Sequence, residues 1–150
     1  MARSRAIRDV PPLPAHAVLV RALFEVYPDG RDYDRDALVA DLTYNFDEFG
    51  YFGLSLWLVG AVWTLDRLMA KKVARAYRVG LYSAGDLDSH DLRLVASGRE
   101  PHYDATDGAV ITGDSGSVRI TAGSATELVD RFLDTPYTVE QNPHFVQNIR

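Results

Sequence analysis

Residues 54–77 read LSLWLVGAVWTLDRLMAKKVARAY, and the reading of this stretch decides the fold. From Phe49 to Leu65 there are 17 residues without a charge; Asp66 then closes the run and Arg67, Lys71 and Lys72 follow. Such a string suits one long central helix, apolar on most sides, from about Leu54 to Tyr77, with Gly80 as its stop. It falls short of the roughly 20 apolar residues that a spanning helix needs. Gly50, Gly53, Ser55, Gly60 and Thr64 dilute it further, so a membrane partner is not expected.

Working outward towards the N-terminus, Val18, Leu19, Ala22, Leu23 and Val26 recur at helical spacing, which predicts a helix over 15–27 ended by Pro28-Asp29-Gly30. A second helix is predicted from Asp34, whose carboxylate can cap free amides, with Leu38, Leu42, Phe46 and Phe49 as its stripe. Residues 1–13 read as an extended arm, because Pro11 and Pro12 deny a helix its donors. Arg3, Arg5 and Arg8 resemble the basic start of a secretory signal, but the prolines break any apolar run behind them; a cytoplasmic location is expected.

Towards the C-terminus the character changes. Ser83-Ala84-Gly85-Asp86 predicts a short helical turn to His90, and residues 92–97 a short strand. Residues 108–112 and 117–121 are β-rich runs joined by Gly113-Asp114-Ser115-Gly116, a hairpin. Ser124 and Glu127 form a capping box before Leu128, Val129, Phe132 and Leu133, the apolar face of a helix ended by Pro136. Residues 137–150 read as a second arm containing Tyr137, Val139, Phe145, Val146 and Ile149. The expected architecture is therefore α+β. Three N-terminal helices pack with a small hairpin-containing part and a C-terminal helix, as one domain over 14–136 between two arms.

Composition narrows the function. The 150 residues include no cysteine, which removes disulfides, Cys-ligated zinc and thiol chemistry. With 47% hydrophobic and 25% charged residues the chain is globular rather than disordered. Gly113-Asp114-Ser115-Gly116 resembles the motif around the nucleophile of chymotrypsin-like serine proteases, over four residues only. The resemblance implies a double-barrel scaffold that the helical first half does not offer, and a hairpin turn accounts for the same residues. Asp29, Asp32, Asp34 and Asp36 alternate as calcium ligands can, but Ala37 and Thr43 stand where an EF-hand loop needs glycine and glutamate. Asp86, Asp88, His90 and Asp91, with His102, Asp104 and Asp107, are residues able to serve acid–base chemistry, without a recognised spacing. No cofactor or metal is expected.

The charges segregate. Residues 67–78 carry +5, between flanks of −4 and −6 that make up the net −5. Arg67, Lys71, Arg75 and Arg78 would share one face of the long helix, a stripe for an acidic surface. Three helices and a hairpin resemble a winged helix-turn-helix, yet the hairpin has only Arg119 and the domain is acidic, so nucleic acid is the less favoured partner. Phe46, Phe49, Tyr51, Phe52, Trp57 and Trp63 offer more large apolar surface than one short helix hides. The expectation is a non-enzymatic assembly subunit or homo-oligomer, binding protein through Arg67, Lys71, Arg75, Arg78, Trp57, Trp63 and Phe145. The alternatives are a small enzyme or ligand-binding domain built on the His/Asp cluster, and a nucleic-acid binder.

Overall fold

A computed structural model describes residues 7–112, 118–121 and 123–145. In chain order it contains β1 (Val18–Leu23), α1 (Arg35–Phe49), β2 (Leu54–Leu58), α2 (Leu65–Lys71), β3 (Arg78–Ser83), α3 (Ala84–Ser89), β4 (Arg93–Ala96), β5 (His102–Thr106), β6 (Val110–Thr112), β7 (Val118–Ile120), α4 (Ala125–Asp134) and β8 (Thr138–Gln141). Six strands form one sheet in the order β4-β5-β2-β1-β3-β8, antiparallel at every junction, and β6 pairs with β7 separately.

This overturns the arrangement of three N-terminal helices packed on a small hairpin part. Residues 15–27 are not a helix. Within β1, Leu19 and Val20 are both fully buried, Leu19 in the core of one sheet face and Val20 in that of the other. A strand buried on both faces shows no alternation, and over so short a run its apolar positions also fit a helical template. The long helix over 54–77 fails for the same reason and for a local one. Leu54 and Leu56 face one core while Trp57 packs in the other. Gly60 then leaves the strand, and the Thr64 hydroxyl accepts from Arg67 N, starting a new helix, α2, of only seven residues.

The sheet is therefore the middle layer. On one side α1 and α4 pack against each other and onto Leu19, Leu54, Leu56 and Tyr82, burying Leu42, Leu128 and Phe132. On the other side α2 and the turn after it cover Val20 and Val79 with Leu68, Met69 and Val73. Two helices begin where their caps predict: the Asp34 carboxylate accepts from Ala37 N, and Ser124 Oγ from Glu127 N. Gly50 ends α1 in the left-handed conformation, φ 78°. The Ser83-capped turn, the strand near 92–97 and the two β-rich runs also form, as α3, β4, β6 and β7. The Gly113–Gly116 motif lies outside the described residues.

The end of β8 is tied to α2 by one side chain. Asn142 is buried, and its Nδ2 lies 3.2, 3.0 and 3.1 Å from the carbonyl oxygens of Met69, Val73 and Ala76. Two N–H groups serve three acceptors, so one is shared. Its Oδ1 accepts from His144 N at 2.9 Å. This amide reaches carbonyls at the end of the short helix and in its turn, and of these Val73 O also accepts from Ala76 N. Asn142→Ala is expected to lower unfolding stability by about 2 kcal/mol, and Asn142→Asp by more, since a carboxylate would face three carbonyls. Denaturant unfolding checks this. A change under about 0.5 kcal/mol for both variants would show that the clamp is dispensable.

Candidate functional site

The register of the sheet determines which backbone groups its two edges offer. Main-chain bonds alternate along an antiparallel pair. Asn142 N donates to Tyr77 O, and Val79 and Leu81 lie opposite Glu140 and Thr138. The N–H and C=O of Val139 and Gln141 therefore point away from β3, along the outer edge of β8. All four side chains of β8 are exposed. Tyr77 and Phe24, both exposed, lie at the same end of the sheet, where Leu23 is in register with Arg78. Phe145 meets Tyr77 edge-on with ring centroids 5.6 Å apart.

The opposite edge is β4. Ser97 N donates to His102 O, so Val95 and Arg93 bond inward to β5, and Leu94 and Ala96 present their main chain outward. Here the N-terminal segment adds itself as a partial strand. Ile7 bridges Ser97 in antiparallel fashion and Arg8 N donates to Ala96 O at 2.8 Å. The Arg8 guanidinium donates to His102 O at 2.6 Å and lies over the Tyr103 ring. Beyond Arg8 the segment parts from β4, leaving a cavity of about 640 Å³ between the two, closed below by α3.

Behind β4 sits a buried polar network on β5. Asp104 is 2% exposed and its Oδ2 accepts from Tyr51 Oη at 2.6 Å and from Ser97 Oγ at 2.7 Å. His102 Nδ1 is 3.0 Å from Ser97 O and 3.1 Å from Ser97 Oγ, which makes Nδ1 the proton-bearing nitrogen; Nε2 is 3.9 Å from Asp104 Oδ1. Trp57 meets the His102 ring edge-on. Serine, histidine and aspartate are thus adjacent, with the serine hydroxyl wholly buried and donating to the aspartate. Gly53 is required beside them, because a Cβ there would come within 3.0 Å of Asp104.

The predicted His/Asp cluster divides. His102 and Asp104 belong to this network. His90 ends α3 with Nδ1 2.7 Å from Asp86 O, and Asp107 accepts from Ser124 N. Among the described residues no group of three or more His, Cys, Asp or Glu is placed to hold a metal ion. The cationic stripe divides as well. Arg67 and Lys71 lie on α2, Arg75 in the turn after it, and Arg78 on β3, where Nη1 is 2.7 Å from Asp32 Oδ1. Trp63 is half-buried, with Arg67 and Lys72 over its ring at 4.1 and 4.8 Å. Val146 and Ile149 lie outside the described residues.

On the first face a tyrosine cluster surrounds Asp32. Its Oδ2 accepts from Tyr137 Oη at 2.6 Å, while the Tyr33 and Tyr82 hydroxyls bond each other beneath Gly80, where a Cβ would press at 3.2 Å on Tyr33 Oη and on the Tyr82 ring. Burial pushes the ionisation of Tyr33, Tyr82 and Tyr137 above the usual tyrosine range, and for Tyr137 the bond to the Asp32 carboxylate adds to it. Sequence reading missed this cluster, the Asn142 clamp and Arg8, since none has a local pattern. Among the described residues no helix is long and apolar enough to cross a membrane. No protein-family model matches the chain, and no curated protein or solved structure matches it.

The tyrosines give a pH dependence. Below about pH 10 they are neutral in both states and contribute no slope. Above it the unfolded chain ionises while the folded chain holds its protons, so stability falls, by up to about 1.4 kcal/mol per pH unit for each tyrosine that keeps its proton. Tyrosinate absorbance from the cluster is expected only as circular dichroism reports unfolding. A single step near pH 10 with the fold intact would contradict the buried arrangement.

Proposed function

We propose that the chain is a non-enzymatic assembly subunit that associates strand to strand at the β8 edge, with a second copy of itself. The observation that carries this reading is the edge itself. Four exposed residues have the outward N–H and C=O groups of Val139 and Gln141 along them, with Glu140 the single charge in the strand. Natural sheets blunt such edges with lysine, proline or bulges, or cover them. Here the prolines, Pro136 and Pro143, flank the strand and do not enter it. Two β8 strands can pair about a twofold axis with Val139 opposite Val139, which sets Thr138 opposite Glu140 and keeps the two glutamates from facing.

Catalysis draws less support, because His90 and His102 are in separate places and the Ser97 hydroxyl is committed to Asp104. A winged-helix reading draws less still, because the cations expected on one helix face lie on α2, its following turn and β3.

Val139→Pro separates association from folding. Its N–H points outward, so the substitution removes no bond to β3 while removing a donor from the edge. Light scattering is expected to show concentration-dependent association in the natural chain and single chains in the variant, with circular dichroism unchanged. A natural chain that stays single at high concentration, or a variant that associates equally, overturns the reading.

A further inference from the structure

We infer that the slot at the β4 edge binds an extended peptide segment of a partner protein by strand addition, independently of the β8 edge. The two edges lie five strand spacings apart, about 24 Å, so an occupant of one does not touch the other. The edge already shows what kind of group it takes. Its outer side accepts a main chain, that of the chain's own N-terminal segment, antiparallel and hydrogen-bonded through Arg8 N and Ala96 O. In that register the next bonding partners of β4 would be Val10 for Leu94 and then Pro12 for Leu92. Pro12 has no N–H, and Pro11 holds Val10 in extended backbone; the segment turns away instead. What it leaves behind is a cavity of about 640 Å³ in front of Leu94, whose N–H and C=O face into it. That volume lies within the range of ligand-holding pockets.

The walls define the occupant. Leu13, Leu92, Leu94 and Tyr103 supply apolar surface, and at the rim Arg8 and Arg93 are balanced by Asp9 and Asp88. Such a slot selects by main-chain pairing and apolar side chains rather than by charge. The occupant is a non-prolyl, extended segment about three residues long, facing β4 short of Ala96, whose carbonyl Arg8 N already takes, with small β-branched side chains at alternate positions. The Arg8 guanidinium, held on His102 O and over Tyr103, pins the segment at the point where it parts from β4 and so keeps the slot open.

The probe is the blocked hexapeptide acetyl-Thr-Val-Thr-Val-Thr-Gly-amide, titrated into the full chain with backbone amide resonances as the readout. Saturable shifts are expected at Leu94 and Ala96, and none at Val139 and Gln141. The same peptide N-methylated at its second valine is expected to bind roughly tenfold more weakly or worse, having lost one bond to the edge. Leu94→Pro, which removes an outward N–H and no bond to β5, is expected to abolish the shifts while the sheet signals stay. Unsaturated or absent shifts at Leu94, or equal binding by the N-methylated peptide, overturn the inference. Either result leaves the β8 association untouched, because its readout is the mass of the natural chain.

Discussion

The structure depends on a sheet whose central strands are buried on both faces. Leu19 and Val20, adjacent in β1, fill opposite cores. Once β1 is fixed between β2 and β3, α1 with α4 must cover one face and α2 the other, for neither apolar face can be left in water. Burying one leucine-sized side chain is worth about 1.5–3 kcal/mol, and each face holds several. The cost appears at the margins: an antiparallel sheet that does not close has two edges, and this one treats them differently. The N-terminal segment partly covers β4, whereas β8 presents its outward main chain with no cover among the described residues.

Polar side chains do the joining that the apolar layers cannot. Asn142 ties the last strand to α2, Arg78 and Tyr137 converge on Asp32, and Asp104 gathers Tyr51 and Ser97 beneath β4. Each links segments far apart in sequence. Each also places a donor or acceptor where an apolar residue would leave a buried group bare, so these residues matter to the fold more than their number suggests. The Ser97–His102–Asp104 group is joined in the same way, Ser97 Oγ donating to Asp104 and His102 Nδ1 to the backbone of Ser97.

How much of this was legible in the sequence follows from where the signals are local. Asp34 and Ser124 are caps, and a cap is read from three or four consecutive residues; both helices they start are present. The β-rich runs around 110 and 118 were readable because both are rich in valine, isoleucine and threonine, and in the second these alternate with polar residues. Val18 to Leu23 and Leu54 to Leu58 misled because a strand between two cores has no polar face to betray its period. The cationic stripe followed from that error: Arg67 and Arg78 share a face only if residues 67–78 are one helix. Asn142 and Tyr51 have no local signature at all, since the carbonyls that Asn142 Nδ2 reaches are 66 or more residues away in the chain and Asp104 is 53 from Tyr51. His102 and Asp104 were singled out from their chemistry, and they do meet, but with Ser97 and Tyr51 rather than with His90.

The most direct measurement is amide hydrogen exchange, residue by residue, in dilute and concentrated solution. Leu19 and Val20 are expected to be among the slowest amides, and β8 to alternate, with Glu140 protected and Val139 and Gln141 fast when dilute and slowed on concentration. Uniform protection across 54–77, as one continuous helix would give, or a β8 whose Val139 and Gln141 amides are already slow in dilute solution and indifferent to concentration, would contradict this arrangement.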